Sequence, residues 1–138
     1  MSIIPNPDAM AAFAADLAKS CHAPCLIFLE GELGAGKTTL VRGFLRALGY
    51  RGPVKSPTYA MVETYELPQK IIHFDLYRLT DPMELEEMGL RDYFTEAAII
   101  FVEWPERAGG ILPNPDLRCY IEILPEGRKV EISTCAQH

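Results

Sequence analysis

Positive charge is scarce in this sequence. The 13 Lys and Arg stand against 19 Asp and Glu, a formal net charge of −6, and the pI is near 5.0. A broad basic face that grips a polyanion unaided is therefore disfavoured, because such binding rests on Lys and Arg neutralising phosphates. DNA is not an expected partner, and any RNA contact falls to a local patch or to another protein. Long apolar runs are missing too. The longest, Ala9 to Ala15, has seven residues, whereas a membrane-spanning helix needs about 20. The opening Met1-Ser2-Ile3-Ile4-Pro5-Asn6-Pro7 has neither a charged n-region nor an apolar h-region, so the chain reads as cytoplasmic and without a secretory signal. Cysteine is sparse. Cys21, Cys25, Cys119 and Cys135 are expected as reduced thiols, and Cys21-x3-Cys25 lacks a second close pair to complete a zinc site. No repeat, low-complexity tract or long linker divides the sequence, so residues 1–138 are expected to form a single domain. At 49% apolar and 23% charged residues, the composition suits a globular α/β protein.

Periodicity supplies the elements. Asp8 is a plausible N-cap for a helix from Ala9 to about Lys19, with Met10, Phe13, Ala14 and Leu17 spaced for one buried stripe. Cys25 to Leu29 is a short continuous apolar run, the pattern of a strand buried on both faces. A second helix is expected from Lys37 to Leu48, with Leu40, Val41, Phe44, Leu45 and Leu48 facing the core and Gly49 closing it. Tyr59 to Tyr65 and Lys70 to Leu76 read as an antiparallel hairpin around Leu67-Pro68-Gln69. Asp81-Pro82 opens a short acidic helix that Gly89 ends. Ala97 to Val102 is a second central strand, leading into Glu103, and Arg118 to Leu124 with Lys129 to Thr134 form a closing hairpin. The expected fold is α/β and P-loop NTPase-like, a parallel core sheet with antiparallel hairpin additions and flanking helices.

The run Gly31-Glu32-Leu33-Gly34-Ala35-Gly36-Lys37-Thr38 satisfies G-x-x-x-x-G-K-[ST] between such a strand and such a helix. Polyphosphate needs several donors converging on it, and glycines permit a loop whose backbone N–H groups point inward. Leu33, Gly34, Ala35, Gly36, Lys37, Thr38 and Thr39 are therefore the candidate nucleotide-binding residues. Lys37 brings a flexible positive charge to the β/γ-phosphates, and the Thr38 hydroxyl is placed for Mg²⁺. A P-loop also needs a carboxylate on a neighbouring strand. Glu103 ends the more apolar strand and is assigned to the metal; Asp75 is assigned to the region of the γ-phosphate, ordering water or a switch loop. Ser56-Pro57-Thr58-Tyr59 falls where nucleotide switches lie, and a hydroxyl there can sense γ-phosphate. Trp104 is a candidate neighbour of the nucleotide. No N-K-x-D occurs, which favours ATP over GTP. A small-molecule kinase or a nucleotide-dependent binding module with little catalysis are the alternatives, although the eight arginines form no closely spaced lid set.

Four blocks occur in order: the P-loop run through Thr39, Lys55-Ser56-Pro57-Thr58-Tyr59, His73-Phe74-Asp75-Leu76-Tyr77-Arg78-Leu79, and Val102-Glu103-Trp104-Pro105. With these the chain resembles the TsaE family, the ATPase of bacterial tRNA threonylcarbamoyladenosine biosynthesis, from about Asp8 to Thr134. Glu32 stands where many members have Asp. The resemblance implies Mg-dependent hydrolysis of ATP in support of turnover by the TsaB and TsaD proteins, which hold tRNA and modify adenosine 37. It also implies catalytic roles for Lys37, Thr58, Asp75 and Glu103, metal binding by Thr38 and Glu103, and a place for Trp104 beside the nucleotide. No arginine finger is evident, so hydrolysis by the chain alone is expected to be slow. Arg42, Arg46, Arg51 and Lys55 form the best basic stripe for tRNA or an acidic partner.

Overall fold

The computed structural model describes residues 2–55, 57 and 60–134. Strands β1 (Ser2–Ile4), β2 (Cys25–Glu30), β3 (Val62–Tyr65), β4 (Lys70–Asp75), β5 (Ala98–Glu103), β6 (Leu117–Leu124) and β7 (Gly127–Thr134) join helices α1 (Pro7–Ser20), α2 (Lys37–Ala47), α3 (Met83–Glu87) and α4 (Leu90–Phe94). The strands form one sheet in the order β1-β7-β6-β2-β5-β4-β3. β2 runs parallel to both β5 and β6, and β4 parallel to β5. The pairs β3–β4, β6–β7 and β1–β7 are antiparallel. The expected α/β architecture, a parallel core with antiparallel additions, is the one observed.

The apolar runs are continuous because the central strands are covered on both faces. Alternate residues point opposite ways. Ile27, Leu29, Ile71, Ile99 and Phe101 pack in one cluster with α1 and α2. Leu26, Phe28, Ile72, Phe74, Ile100 and Val102 pack in the other with Leu85 of α3 and Leu90 of α4. Phe44 of α2 meets Phe101 of β5 edge-on, with ring centroids 4.9 Å apart. Gly43 lets the first two helices close together: a Cβ there would stand 2.9 Å from the Ala11 Cα. The C-terminus of α2 ends as expected, in a Schellman motif. Gly49 has φ +96°, its N–H bonds the Arg46 carbonyl at 3.1 Å, and the Tyr50 N–H bonds the Leu45 carbonyl at 3.0 Å.

Several details differ from expectation. The N-cap of α1 is Asn6, not Asp8: Pro7 takes the first helical position, and the Asn6 side chain accepts from the Ala9 N–H at 2.8 Å. Proline fits there because its missing N–H has no helical acceptor to lose. Asp8 instead lies in the first turn, where its charge complements the helix dipole. Strand β1 and helix α4 are additional to the expected elements; α4 begins directly after Gly89, which is in a left-handed conformation. β7 begins at Gly127 rather than Lys129. The strand expected from Tyr59 is observed as β3 from Val62, and Tyr59 itself lies outside the described residues.

Candidate functional site

The loop between β2 and α2 follows from a chain that must leave a buried strand, turn tightly and present its amides. Gly31 lies where β6 crosses close by: a Cβ would come within 2.4 Å of the Ile121 carbonyl oxygen. Gly36, at φ +113°, caps α2 without a side chain, a conformation other residues adopt only under strain. Lys37 opens the helix. Its side chain is buried, Nζ donates to the Gly31 carbonyl at 2.7 Å, and Nζ lies 4.0 Å from the centre of the Trp104 ring.

Parallel pairing of β4 and β5 brings the two expected carboxylates together. Asp75 and Glu103 are register partners at the strand ends, and both are buried, at 5% and 4% exposure. Asp75 Oδ1 accepts from the Tyr77 N–H at 3.0 Å. Burial pushes the Asp75 carboxyl above its ordinary pKa, and the neighbouring Glu103 adds to this against the Tyr77 amide. Burial likewise lowers the Lys37 ammonium, while Glu103 and Asp75 pull it back up. Trp104 has φ +57° and ψ +51°, a left-handed conformation uncommon for a bulky residue. That bend turns the indole back over Lys37, with Tyr77 at 5.1 Å between ring centres.

A cleft of ≈ 240 Å³ is lined by Leu33, Gly34, Gly36, Lys37, Thr38, Thr39, Asp75, Glu103 and Trp104, together with Tyr77. All but two of the expected site residues thus share one space. Ala35 lies on the other side of the loop, in a cavity of ≈ 220 Å³ walled by the Ile4–Pro7 turn, Met10, Thr39 and Arg128. Thr58, with Ser56 and Tyr59 of the expected switch segment, lies outside the described residues. Arg128 is a site neighbour that no sequence motif marks. From the start of β7 its Nε donates to the Ala35 carbonyl at 3.0 Å and Nη2 to the Gly34 carbonyl at 3.1 Å. Nothing local announces this, since the two partners are more than ninety residues apart in sequence. Part of the basic stripe has other work. Arg46 donates to the Tyr50 and Gly52 carbonyls and Arg51 to the Arg46 carbonyl.

The donor set suits a hard cation. Mg²⁺ is usually held by one or two carboxylates plus phosphate oxygens and waters, not by an all-protein cage. No cluster of three or more His, Cys, Asp or Glu able to hold a metal occurs among the described residues. Two buried carboxylates beside a threonine hydroxyl meet the first requirement, and the charged form of Asp75, disfavoured by burial first and by Glu103 second, is one that a bound cation would favour.

The model of the family described as "Threonylcarbamoyl adenosine biosynthesis protein TsaE" matches residues 4–130. The chain belongs to the TsaE family. A TsaE protein of Haemophilus influenzae, named for tRNA threonylcarbamoyladenosine biosynthesis, is 52% identical over 108 residues, covering 78% of this chain and 68% of that one. The Bacillus subtilis TsaE is 37% identical over 120 residues, 85% and 73% of the two chains. The crystal structure of YdiB from Bacillus subtilis superposes with a TM-score of 0.78 at 28% identity, over 94% of this chain and 80% of that one. No helix among the described residues is long and apolar enough to cross a membrane.

Proposed function

We propose that this TsaE-family chain is a Mg²⁺-dependent ATPase of the tRNA threonylcarbamoyladenosine machinery. On this reading it acts in the cytoplasm with TsaB and TsaD, and tRNA is held mainly by that complex. The observation that carries it is the convergence of Lys37, Asp75 and Glu103, three buried charges, on a single cleft beside the P-loop.

The loop amides and the Lys37 ammonium bind the phosphates, Lys37 exchanging its Gly31 carbonyl for phosphate oxygens. The Thr38 hydroxyl and the Glu103 carboxylate would hold Mg²⁺, which supplies charge neutralisation on the β- and γ-phosphoryl oxygens when bound. Asp75 orders the attacking water, Thr58 senses the γ-phosphate, and Trp104 covers one side of the phosphate tail. The base belongs in the cavity on the far side of the loop, between the Ile4–Pro7 turn and Arg128.

Charge stabilisation is incomplete. Arg107 stands over the Tyr77 and Trp104 rings, at 5.5 and 5.9 Å, and does not line the cleft. An arginine finger contributes about 10³–10⁵-fold in other systems, so a partner that completes the site would accelerate hydrolysis strongly. The test is free phosphate release from ATP by the chain alone, with TsaB–TsaD, and with tRNA added. Slow release alone and clear stimulation by the partners are expected. Equal rates in all three reactions count against the role, and phosphate appearing on an added metabolite marks a kinase instead.

A further inference from the structure

The buried polar and charged side chains among the described residues are Lys37, His73, Asp75 and Glu103. The nucleotide site uses three of them. His73 lies on β4, two residues before Asp75 and therefore on the same face of the sheet. Its register partner on β5 is Phe101, whose ring meets the imidazole nearly edge-on at 6.4 Å. His73 is fully buried, and its Nε2 lies 2.6 Å from Glu103 Oε2. With Glu103 as a carboxylate, which can only accept, this bond assigns the Nε2–H tautomer to His73. The other ring nitrogen, Nδ1, is buried without a hydrogen-bond partner among the described residues.

A side chain placed here only to fill the core would not be an imidazole. Leucine fills comparable space and strands no polar atom, whereas His73 leaves one nitrogen unsatisfied, which is unfavourable. What the histidine does and leucine cannot is donate to Glu103. The geometry is that of a short, charge-assisted bond. It matters because the terminal torsion of a glutamate is soft and roughly two-fold. Without a fixed partner, a carboxylate at a strand end can swing.

We propose that His73 is a positioning residue for the metal carboxylate. Its Nε2–H holds Oε2 of Glu103, so that the group presents one fixed orientation to the cleft and to a divalent cation there. The assignment rests on the reading of Glu103 as the metal carboxylate. His73 touches neither nucleotide nor cation and acts only through Glu103. Partners of this kind behind a metal ligand typically change metal affinity by about 10–100-fold when removed.

The test is calorimetric binding of a non-hydrolysable ATP analogue to the full chain, in EDTA and across a Mg²⁺ series, for wild type, His73→Leu and His73→Gln. In His73→Leu, binding in EDTA should match wild type, while the Mg²⁺ needed for half of the metal-dependent gain rises by about 10-fold or more. In His73→Gln, whose amide N–H reaches about as far as Nε2, the requirement should return close to wild type. A wild-type Mg²⁺ requirement in His73→Leu overturns the proposal. So does an equal loss of binding in EDTA, which marks a merely structural role, or a folded His73→Gln that behaves like the leucine variant. Should His73→Leu fail to fold, His73→Gln against His73→Asn decides. The shorter Asn places its donor where Nδ1 lies and should keep the defect; equal behaviour of the two overturns the proposal. Failure of the site reading itself looks different: wild type then gains nothing from Mg²⁺, and the role of His73 falls with it.

Discussion

At the tips of β4 and β5, Asp75 and Glu103 are buried side by side next to a buried lysine. On the hairpin of β6 and β7 the same residue types are handled differently. There Lys129 lies between Glu122 at 3.6 Å and Glu131 at 3.5 Å, with side chains 30–52% exposed. The hairpin charges are solvated and paired, an arrangement worth at most about 1 kcal/mol. Burial disfavours the charged forms of both Asp75 and Lys37, and the contacts around them do not reverse that direction. A fold has no need of such a cluster for its own stability. It is what a site looks like when its charges are placed for a ligand.

Substitutions can break this contrast at either end. The largest effect is expected for Asp75→Asn. If Asp75 orders the attacking water, phosphate release falls by about 100-fold or more. At the same time the nucleotide-free protein becomes more stable. A raised carboxyl pKa means that the folded state favours the protonated form. The penalty is therefore complete above the folded pKa and absent below the unfolded value. Thermal melts should show the asparagine variant ahead of wild type at neutral pH, with the lead shrinking as pH falls through the upper carboxylate range. A variant that melts lower than wild type at neutral pH would mean the buried carboxyl is structural.

Next comes Lys37→Ala. Loss of charged hydrogen bonds worth about 1.5–3 kcal/mol predicts roughly 10- to 150-fold weaker nucleotide binding, measured by calorimetry. Unchanged affinity would separate the buried lysine from the phosphates altogether. Arg128→Ala sharpens the comparison from the other side, because this hairpin residue reaches the loop. Releasing the Gly34 and Ala35 carbonyls, for a net loss of about 1 kcal/mol, should weaken nucleotide binding roughly 5-fold. Lys129→Ala, one residue further along, should alter neither binding nor stability by more than about 0.5 kcal/mol. A large effect of Lys129→Ala would show that the hairpin is not the solvated region it resembles.

The two regions also differ in how well the sequence declared them. β2 and β5 are legible because burial on both faces forces unbroken apolar runs, and the loop after β2 is legible because its glycines stand at the fixed spacing G-x-x-x-x-G-K-[ST]. The end of α2 could be placed from Gly49 alone. β1, by contrast, has only three residues, too few for any period to emerge, and it exists because β7 offers it an edge. The bond from His73 to Glu103 spans thirty positions and depends on the register of two parallel strands. The Arg128 clamp depends on where a hairpin turn comes to rest. Residue types reveal local chemistry; which distant groups touch is decided by sheet order, and no local pattern encodes that. The cap of α1 is ambiguous for a smaller reason, since Asn6 and Asp8 are both good caps and only the position of Pro7 separates them.

The close approach of Gly31 to Ile121 has a consequence for biosynthesis. The ribosome makes the glycine-rich turn early, yet the backbone it must nestle against emerges some ninety residues later. Both strands that flank β2 are also late arrivals. A nascent chain therefore carries the glycine-rich run of residues 31–38 long before it has the scaffold that shapes it, and the turn can take its final form only once β6 has docked against β2.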